Sequence, residues 1–241
     1  MIHKFAASAV LSLASITLAS AVTIDNFNTL QTLQIAAGGV TPVTVSNNVA
    51  TGANSLGGTR GMTLERSAGI GSTDGLVNAV SLLGALQLNS DTSTTANLSL
   101  VWDGGGNTTL DAPGFAGVDF TDAGSSNRVR LGILSADLGF TITLRAYTTV
   151  PGAYHQWIVN PAPGPSTQDL FFATATSIGG ASGFSAITAV EMSINTPTAG
   201  DIAIDFLETF GTPTNDPVPE PSTFALAGAG LVLAGLWRRN R

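Results

Sequence analysis

No cysteine occurs among the 241 residues, so disulfides, thiolate metal sites and cysteine nucleophiles are excluded together. Lysine is almost as scarce. Lys4 is the only one, and between Val22 and Asp216 five arginines stand against fifteen aspartates and glutamates, a formal charge of −10. A body so acidic has no basic footprint for phosphate, which excludes nucleic acid as a partner. Charged residues make up 10% of the chain, too few for long surface helices rich in Glu, Lys and Arg. Disorder is disfavoured as well, because it goes with low hydrophobicity and high charge, and 44% of these residues are hydrophobic. Histidine is limited to His3 and His155, so a His-rich zinc site is excluded by count. No G-x-S-x-G elbow accompanies His155, which reads as an ordinary residue of a half-exposed strand.

Gly, Ser, Thr, Asn and Ala are abundant instead, the material of short strands and small-residue turns. Period-two alternation is the commonest pattern. Phe140, Ile142, Leu144 and Ala146 share one face, while Thr141, Thr143, Arg145 and Tyr147 share the other. Val190, Met192 and Ile194 alternate with Glu191 and Ser193, and Val129, Leu131 and Ile133 with Arg128 and Arg130. Near the end of the body, Ile202, Ile204 and Phe206 alternate with Asp201, Ala203, Asp205 and Leu207. Glycine and proline clusters punctuate these runs. The pattern predicts a mostly β protein, a single antiparallel β-sandwich, with one core face and one wet face per strand. Residues 76–86 fit helical spacing as well as strand spacing, so a short helix is an alternative there.

The two ends differ from this body. Lys4, an apolar run from Phe5 to Leu18 and the small residues Ala19, Ser20 and Ala21 have the order of a secretory signal peptide, cleaved after Ala21 by signal peptidase. At the other end Val218, Pro219, Glu220 and Pro221 precede an apolar stretch from Phe224 to Trp237, followed by Arg238, Arg239, Asn240 and Arg241. As a helix, fourteen residues cover roughly 21 Å, against about 30 Å of hydrocarbon. That is short for a permanent anchor, and the arginines form a cytoplasmic stop. The domain reading is therefore a helical signal peptide 1–21, β-sandwich ectodomain 22–211, spacer 212–217 and sorting signal 218–241 with a short transmembrane helix.

The order of motif, short membrane segment and basic end resembles the PEP-CTERM sorting signal of Gram-negative bacteria. That resemblance implies recognition by an exosortase, with membrane attachment through the C-terminal helix until processing. It further implies release from the inner membrane to the cell surface or extracellular matrix, in company with exopolysaccharide. The body resembles, by pattern, galactose-binding-like jelly rolls that include carbohydrate-binding modules. The carriers are the opening from Val22 to Phe27, the strand entry from Gly57 to Met62, and the close from Asp201 to Phe206. In such folds the first and last strands lie near one another.

Candidate sites follow from chemistry alone. Sugar binding uses an aromatic as a stacking platform beside polar groups, which points to Trp102 with Asp103, and to Tyr154 and Trp157 with Arg145. Tyr154 and Trp157 have opposite parity, so a regular strand turns at most one of them outward. No cofactor is expected. Structural calcium is the one metal to weigh, on Asp25, Asp201 and Asp205 if the end strands adjoin, or on a loop flanked by Asp103 and Asn107. Asp201 and Asp205 lie ~13 Å apart along a strand, too far for the carboxylate pair of a glycosidase, and no other catalytic motif is present. The expectation is a non-enzymatic surface or matrix protein, structural or adhesive, with a carbohydrate-binding module as alternative and an extracellular hydrolase as a remote third.

Overall fold

The computed structural model describes residues 21–38, 42–68, 77–91 and 94–211. The expected signal peptide through Ser20, the spacer and the whole of 218–241 lie outside the described residues, as do both expected terminal helices. The described chain forms fourteen strands: β1 (Thr23–Asp25), β2 (Gln31–Ile35), β3 (Val43–Ala50), β4 (Thr59–Ala68), β5 (Val77–Leu82), β6 (Ala85–Ser90), β7 (Thr95–Trp102), β8 (Arg128–Ala136), β9 (Thr141–Thr148), β10 (Tyr154–Val159), β11 (Ser166–Phe171), β12 (Thr176–Ile178), β13 (Ile187–Asn195) and β14 (Asp201–Phe210). They make two seven-stranded antiparallel sheets. One runs β11-β8-β14-β6-β5-β2, with β1 beside β14; the other runs β12-β10-β9-β13-β7-β4-β3. The sandwich expected from the alternation, jelly-roll-like as the resemblance implied, is the fold observed.

The core lies between the sheets, because each strand turns its apolar set inward. Ala96, Leu98, Leu100 and Trp102 of β7, Val190, Met192 and Ile194 of β13, and Ile142, Leu144 and Ala146 of β9 are buried from one side. Val129, Leu131 and Ile133 of β8, Leu86 and Leu88 of β6, and Ile202 and Ile204 of β14 meet them from the other. Burying one such aliphatic side chain contributes about 1.5–3 kcal/mol, so the repeated alternation carries most of the stabilisation.

Two expectations are corrected. The helical alternative within 76–86 gives way to a hairpin, Leu76 itself lying outside the described residues. Leu82 pairs with Ala85, and Leu83 (φ 54°) and Gly84 (φ 83°) form the two-residue turn. Two consecutive positive φ values match the right-handed twist of the flanking strands, and the hairpin sends Val77 and Ala79 into the core. Secondly, the alternation of β14 breaks at Phe206. The register with β8 passes from Ile204↔Ile133 to Leu207↔Leu131, so Asp205 and Phe206 together oppose Gly132. This β-bulge reverses parity. Leu207 becomes fully buried, and Phe206 lies on the outer face against Gly132.

The end strands adjoin, as the resemblance implied. Thr23 pairs with Glu208 and Asp25 with Leu207, while the Val22 amide donates to Thr209 Oγ1 at 2.8 Å. Behind β1 sits a buried polar knot. Asp25 Oδ2 accepts from Arg60 Nη1 at 2.9 Å and from Trp102 Nε1 at 2.7 Å, and Asp25 Oδ1 accepts from the Phe27 amide at 2.7 Å. Arg60 Nε donates to Gln31 Oε1 at 2.7 Å, and its Nη2 to the Thr29 carbonyl at 2.9 Å. A second buried arginine, Arg66, donates to the carbonyls of Ala36 and Gly38 at 2.8 and 2.7 Å. Both arginines rise from β4 and hold the segments before and after β2, closing the side of the sandwich where the two sheets end.

Candidate functional site

The outer face of the second sheet carries a row of polar and aromatic side chains across three neighbouring strands. Cross-strand register puts Tyr154 of β10 opposite Tyr147 of β9, and Gln156 opposite Arg145. On the other side of β9, Glu191 of β13 is opposite Arg145. Arg145 is the hub. Its Nε donates to Gln156 Oε1 at 3.0 Å and its Nη1 to Glu191 Oε2 at 2.9 Å. The Tyr147 hydroxyl donates to the same Glu191 oxygen at 3.0 Å. The guanidinium carbon lies 5.4 Å from the Tyr154 ring centre, and the two tyrosine rings are 5.2 Å apart, tilted by 47°.

Electrostatics follows from this packing. Burial acts to lower the pKa of Arg145, but the hydrogen bond and charge of Glu191 outweigh it and hold it above its ordinary value. Burial, reinforced by Glu191, pushes the Tyr147 hydroxyl up to about 12. Tyr147 is therefore a neutral donor, while the Arg145 and Glu191 side chains keep 34% and 20% of their surface exposed. Half-buried Tyr154 offers an aromatic body beside amide, guanidinium and carboxylate groups. Such a set suits contact with a hydroxylated ring: apolar surface against C–H groups, and fixed donors and acceptors for hydroxyls.

Other residues singled out from sequence take different places. Trp102 is fully buried with its indole N–H on Asp25, so it cannot stack on an external ring. Asp103 is buried too, its Oδ1 accepting from the Gly105 amide and its Oδ2 from the Asp111 amide, both at 2.8 Å. It closes the loop that follows β7. Asn107 Oδ1 accepts from the Thr109 amide at 2.9 Å in a local turn. Trp157 points inward, 5% exposed, and donates through Nε1 to the Phe171 carbonyl at 2.9 Å. Opposite parity has thus placed Tyr154 out and Trp157 in.

His155 is buried beside Trp157, on the inward face of its half-exposed strand β10. Its Nε2 lies 2.7 Å from the Ser182 carbonyl and its Nδ1 3.0 Å from Ser177 Oγ. A carbonyl only accepts, so Nε2 carries a proton, and both ring nitrogens are occupied. The ring stacks on Phe184 at 4.0 Å.

The three carboxylates weighed for calcium are not brought together. Asp25 is committed to Arg60 and Trp102 at the Leu207 end of β14. Leu207 lies six positions along the strand from Asp201, about 20 Å. Asp201 instead neighbours Asp137, whose Oδ1 accepts the Asp201 amide at 2.7 Å. Burial, with the like charge of Asp137, raises the pKa of Asp201. Asp205 sits in the bulge. Among the described residues no group of three His, Asp or Glu is arranged to hold a metal ion.

Tyr147, Gln156 and Glu191 were not singled out by residue type. Their signal was parity: Tyr147 shares the outward face of Arg145, Gln156 that of Tyr154, and Glu191 alternates outward on its own strand. What no single-strand pattern carries is that β9 lies between β10 and β13.

No curated protein matches the chain in sequence. Among solved structures, it is similar to the family 11 carbohydrate-binding module of the cellulosomal cellulase Lic26A-Cel5E of Clostridium thermocellum. That likeness has 10% identity and a TM-score of 0.41, covering 81% of this chain and 97% of that one. A family 30 carbohydrate-binding module is similar at 14% identity and a TM-score of 0.38, over 75% of this chain and 99% of that one. TmCBM61 in complex with β-1,4-galactotriose is similar at 14% identity and a TM-score of 0.29, over 53% and 70%. The tail, by contrast, matches a defined family. Over residues 217–240 the chain carries a PEP-CTERM protein-sorting motif.

Proposed function

We propose that this is an exported bacterial protein, delivered by a signal peptide, processed by an exosortase at its PEP-CTERM tail, and displayed at the cell surface or in the matrix of a Gram-negative cell. Its body serves as a structural or adhesive module. The observation that carries this reading is the sorting motif at 217–240, which begins shortly after β14 ends at Phe210. The whole described sandwich therefore precedes the motif, and cleavage near Pro219 to Pro221 removes no strand from it. The test is intact mass of the protein from cells with and without their exosortase. A species lacking both residues 1–21 and the arginine-rich tail, present only with the enzyme, is the expected result. Retention through Arg241 in both strains would sink the sorting reading.

A second reading is favoured by the Arg145 hub: the body binds exopolysaccharide across the outer face of the second sheet. Tyr154 supplies the apolar contact, and Arg145, Gln156 and Glu191 the hydrogen bonds. Role is assigned here from the site and not from the fold. Retention on columns of mixed-linkage β-glucan, β-1,4-galactan and xylan, lost in Tyr154→Ala and in Arg145→Ala, is the outcome this reading expects. Equal elution of both variants and the parent protein on every column would leave the structural role alone.

A further inference from the structure

We infer that the opposite face of the sandwich, the outer side of the first sheet, holds a second ring-binding site for a neutral sugar, centred on Phe206 and Asp205. It goes beyond the site on the second sheet and shares no residue with it.

Three strands build it. Thr167 of β11 is directly opposite Gly132 of β8, and on the other side of Gly132 stands the β14 bulge, with Asp205 and Phe206 in place of one residue. The Phe206 ring lies over Gly132, and a shallow depression of about 320 Å³ lies beside them. Its lining includes Leu134, Pro165, Ser166 and Thr167 together with Asp205 and Phe206. The glycine is required. A Cβ there would stand 2.5 Å from Phe206 Cε1 and 2.8 Å from Cδ1, so any side chain would drive the phenyl ring out of its seat.

The bulge explains why an aromatic is outside at all. Without the extra residue, Phe206 would continue the inward series of Ile202 and Ile204. With it, Leu207 fills the core and the ring is turned to the surface, half-buried. Bulges re-aim side chains in this way. The result pairs an aromatic and two aliphatic walls with a carboxylate and the Thr167 hydroxyl in one shallow groove. Its volume is at the lower end of the range for small-molecule sites, about 300–1,000 Å³, the scale of one or two sugar rings.

The neighbouring row selects against a charged ligand. Asp169, Arg130 and Glu208 follow one another across β11, β8 and β14. Arg130 Nε already lies 3.2 Å from Asp169 Oδ1, and its guanidinium carbon 3.4 Å from the Phe210 ring centre. With that cation engaged and Asp205 in the groove, an acidic sugar would meet net repulsion. A neutral pyranose has the apolar faces for Phe206 and the hydroxyls for Asp205 and Thr167.

The test is an amide NMR titration of the full-length protein in detergent micelles, with hexaoses of glucose, galactose, mannose and xylose as separate probes. At least one neutral probe is expected to shift Gly132, Thr167 and Phe206, and Phe206→Ala should weaken that response at least tenfold. Asp205→Asn, which keeps side-chain size, is the second variant and should also weaken it if Phe206→Ala disturbs the strand. Shifts confined to Tyr154, Arg145 and Glu191 would overturn this site while supporting the other. Shifts at neither face, with all four probes, would overturn both.

Discussion

The guanidinium of Arg60 lies 2.9 Å from the carboxylate of Asp25, and neither side chain exposes any surface. An ion pair at full burial is a registration device more than a source of net stability, because desolvation offsets much of the attraction. Burial raises the pKa of Asp25, and the Arg60 charge with the Phe27 and Trp102 hydrogen bonds opposes that rise. Removing one partner leaves the other as an uncompensated internal charge. Arg60→Met is therefore expected to lower the unfolding free energy by about 3–5 kcal/mol, measured by urea denaturation. The double change Arg60→Met with Asp25→Leu should recover a substantial part of it. A single variant as stable as the parent would show that the pair does not hold the first strand.

Trp102 belongs to the same knot, which separates stability from binding. Trp102→Phe loses the donor to Asp25, a hydrogen bond to a charged group worth about 1.5–3 kcal/mol. Polysaccharide retention by the folded variant should match that of the parent protein. Lost retention at unchanged stability would place Trp102 in contact with ligand, against its burial.

Tyr147 gives a pH signature. Its hydroxyl keeps its proton to about 12 in the folded protein, whereas an unfolded tyrosine titrates near 10. Between those values the unfolded state holds fewer protons, so stability is complete below about pH 10 and falls as pH rises toward 12. Spectrophotometric titration should resolve a late tyrosinate phase that disappears in Tyr147→Phe. Half-ionisation of Tyr147 near pH 10 contradicts the Glu191 environment.

Gly132 and Phe206 should couple. Gly132→Ala inserts a methyl group into the seat of the phenyl ring and is expected to destabilise by about 1–3 kcal/mol. In the background of Phe206→Ala the same methyl meets no ring, so the two changes should be strongly non-additive. Additive behaviour in a double-mutant cycle would mean that the ring does not rest on the glycine.

Alternation made the sandwich legible, since β7, β9 and β13 each present an apolar set at every second residue. The bulge at Asp205 and Phe206 was not legible, because the pattern through Ile202, Ile204 and Phe206 is regular and only the pairing with β8 reveals the extra residue. Part of the candidate site was within reach: Arg145 and Tyr154 stood out by residue type. Glu191 and Gln156 join them only through the order of strands, a non-local property that no run of residues encodes. Trp102 misleads for a related reason. A tryptophan beside an aspartate in sequence suggests a surface platform, yet consecutive residues in a strand face opposite ways, and its real partner is Asp25, 77 positions away.

The pairing of β1 with β14 also has a mechanical consequence. β14 is the last described strand before the sorting motif and is bonded along its length, to β8 on one side and to β6 and then β1 on the other. A load applied through the C-terminal end therefore enters an interior strand, not an edge. Pulling it out shears several hydrogen-bonded ladders at once instead of peeling them one bond at a time. Were the tail to tether the protein as proposed, the load would reach a strand held by hydrogen-bonded neighbours on both sides.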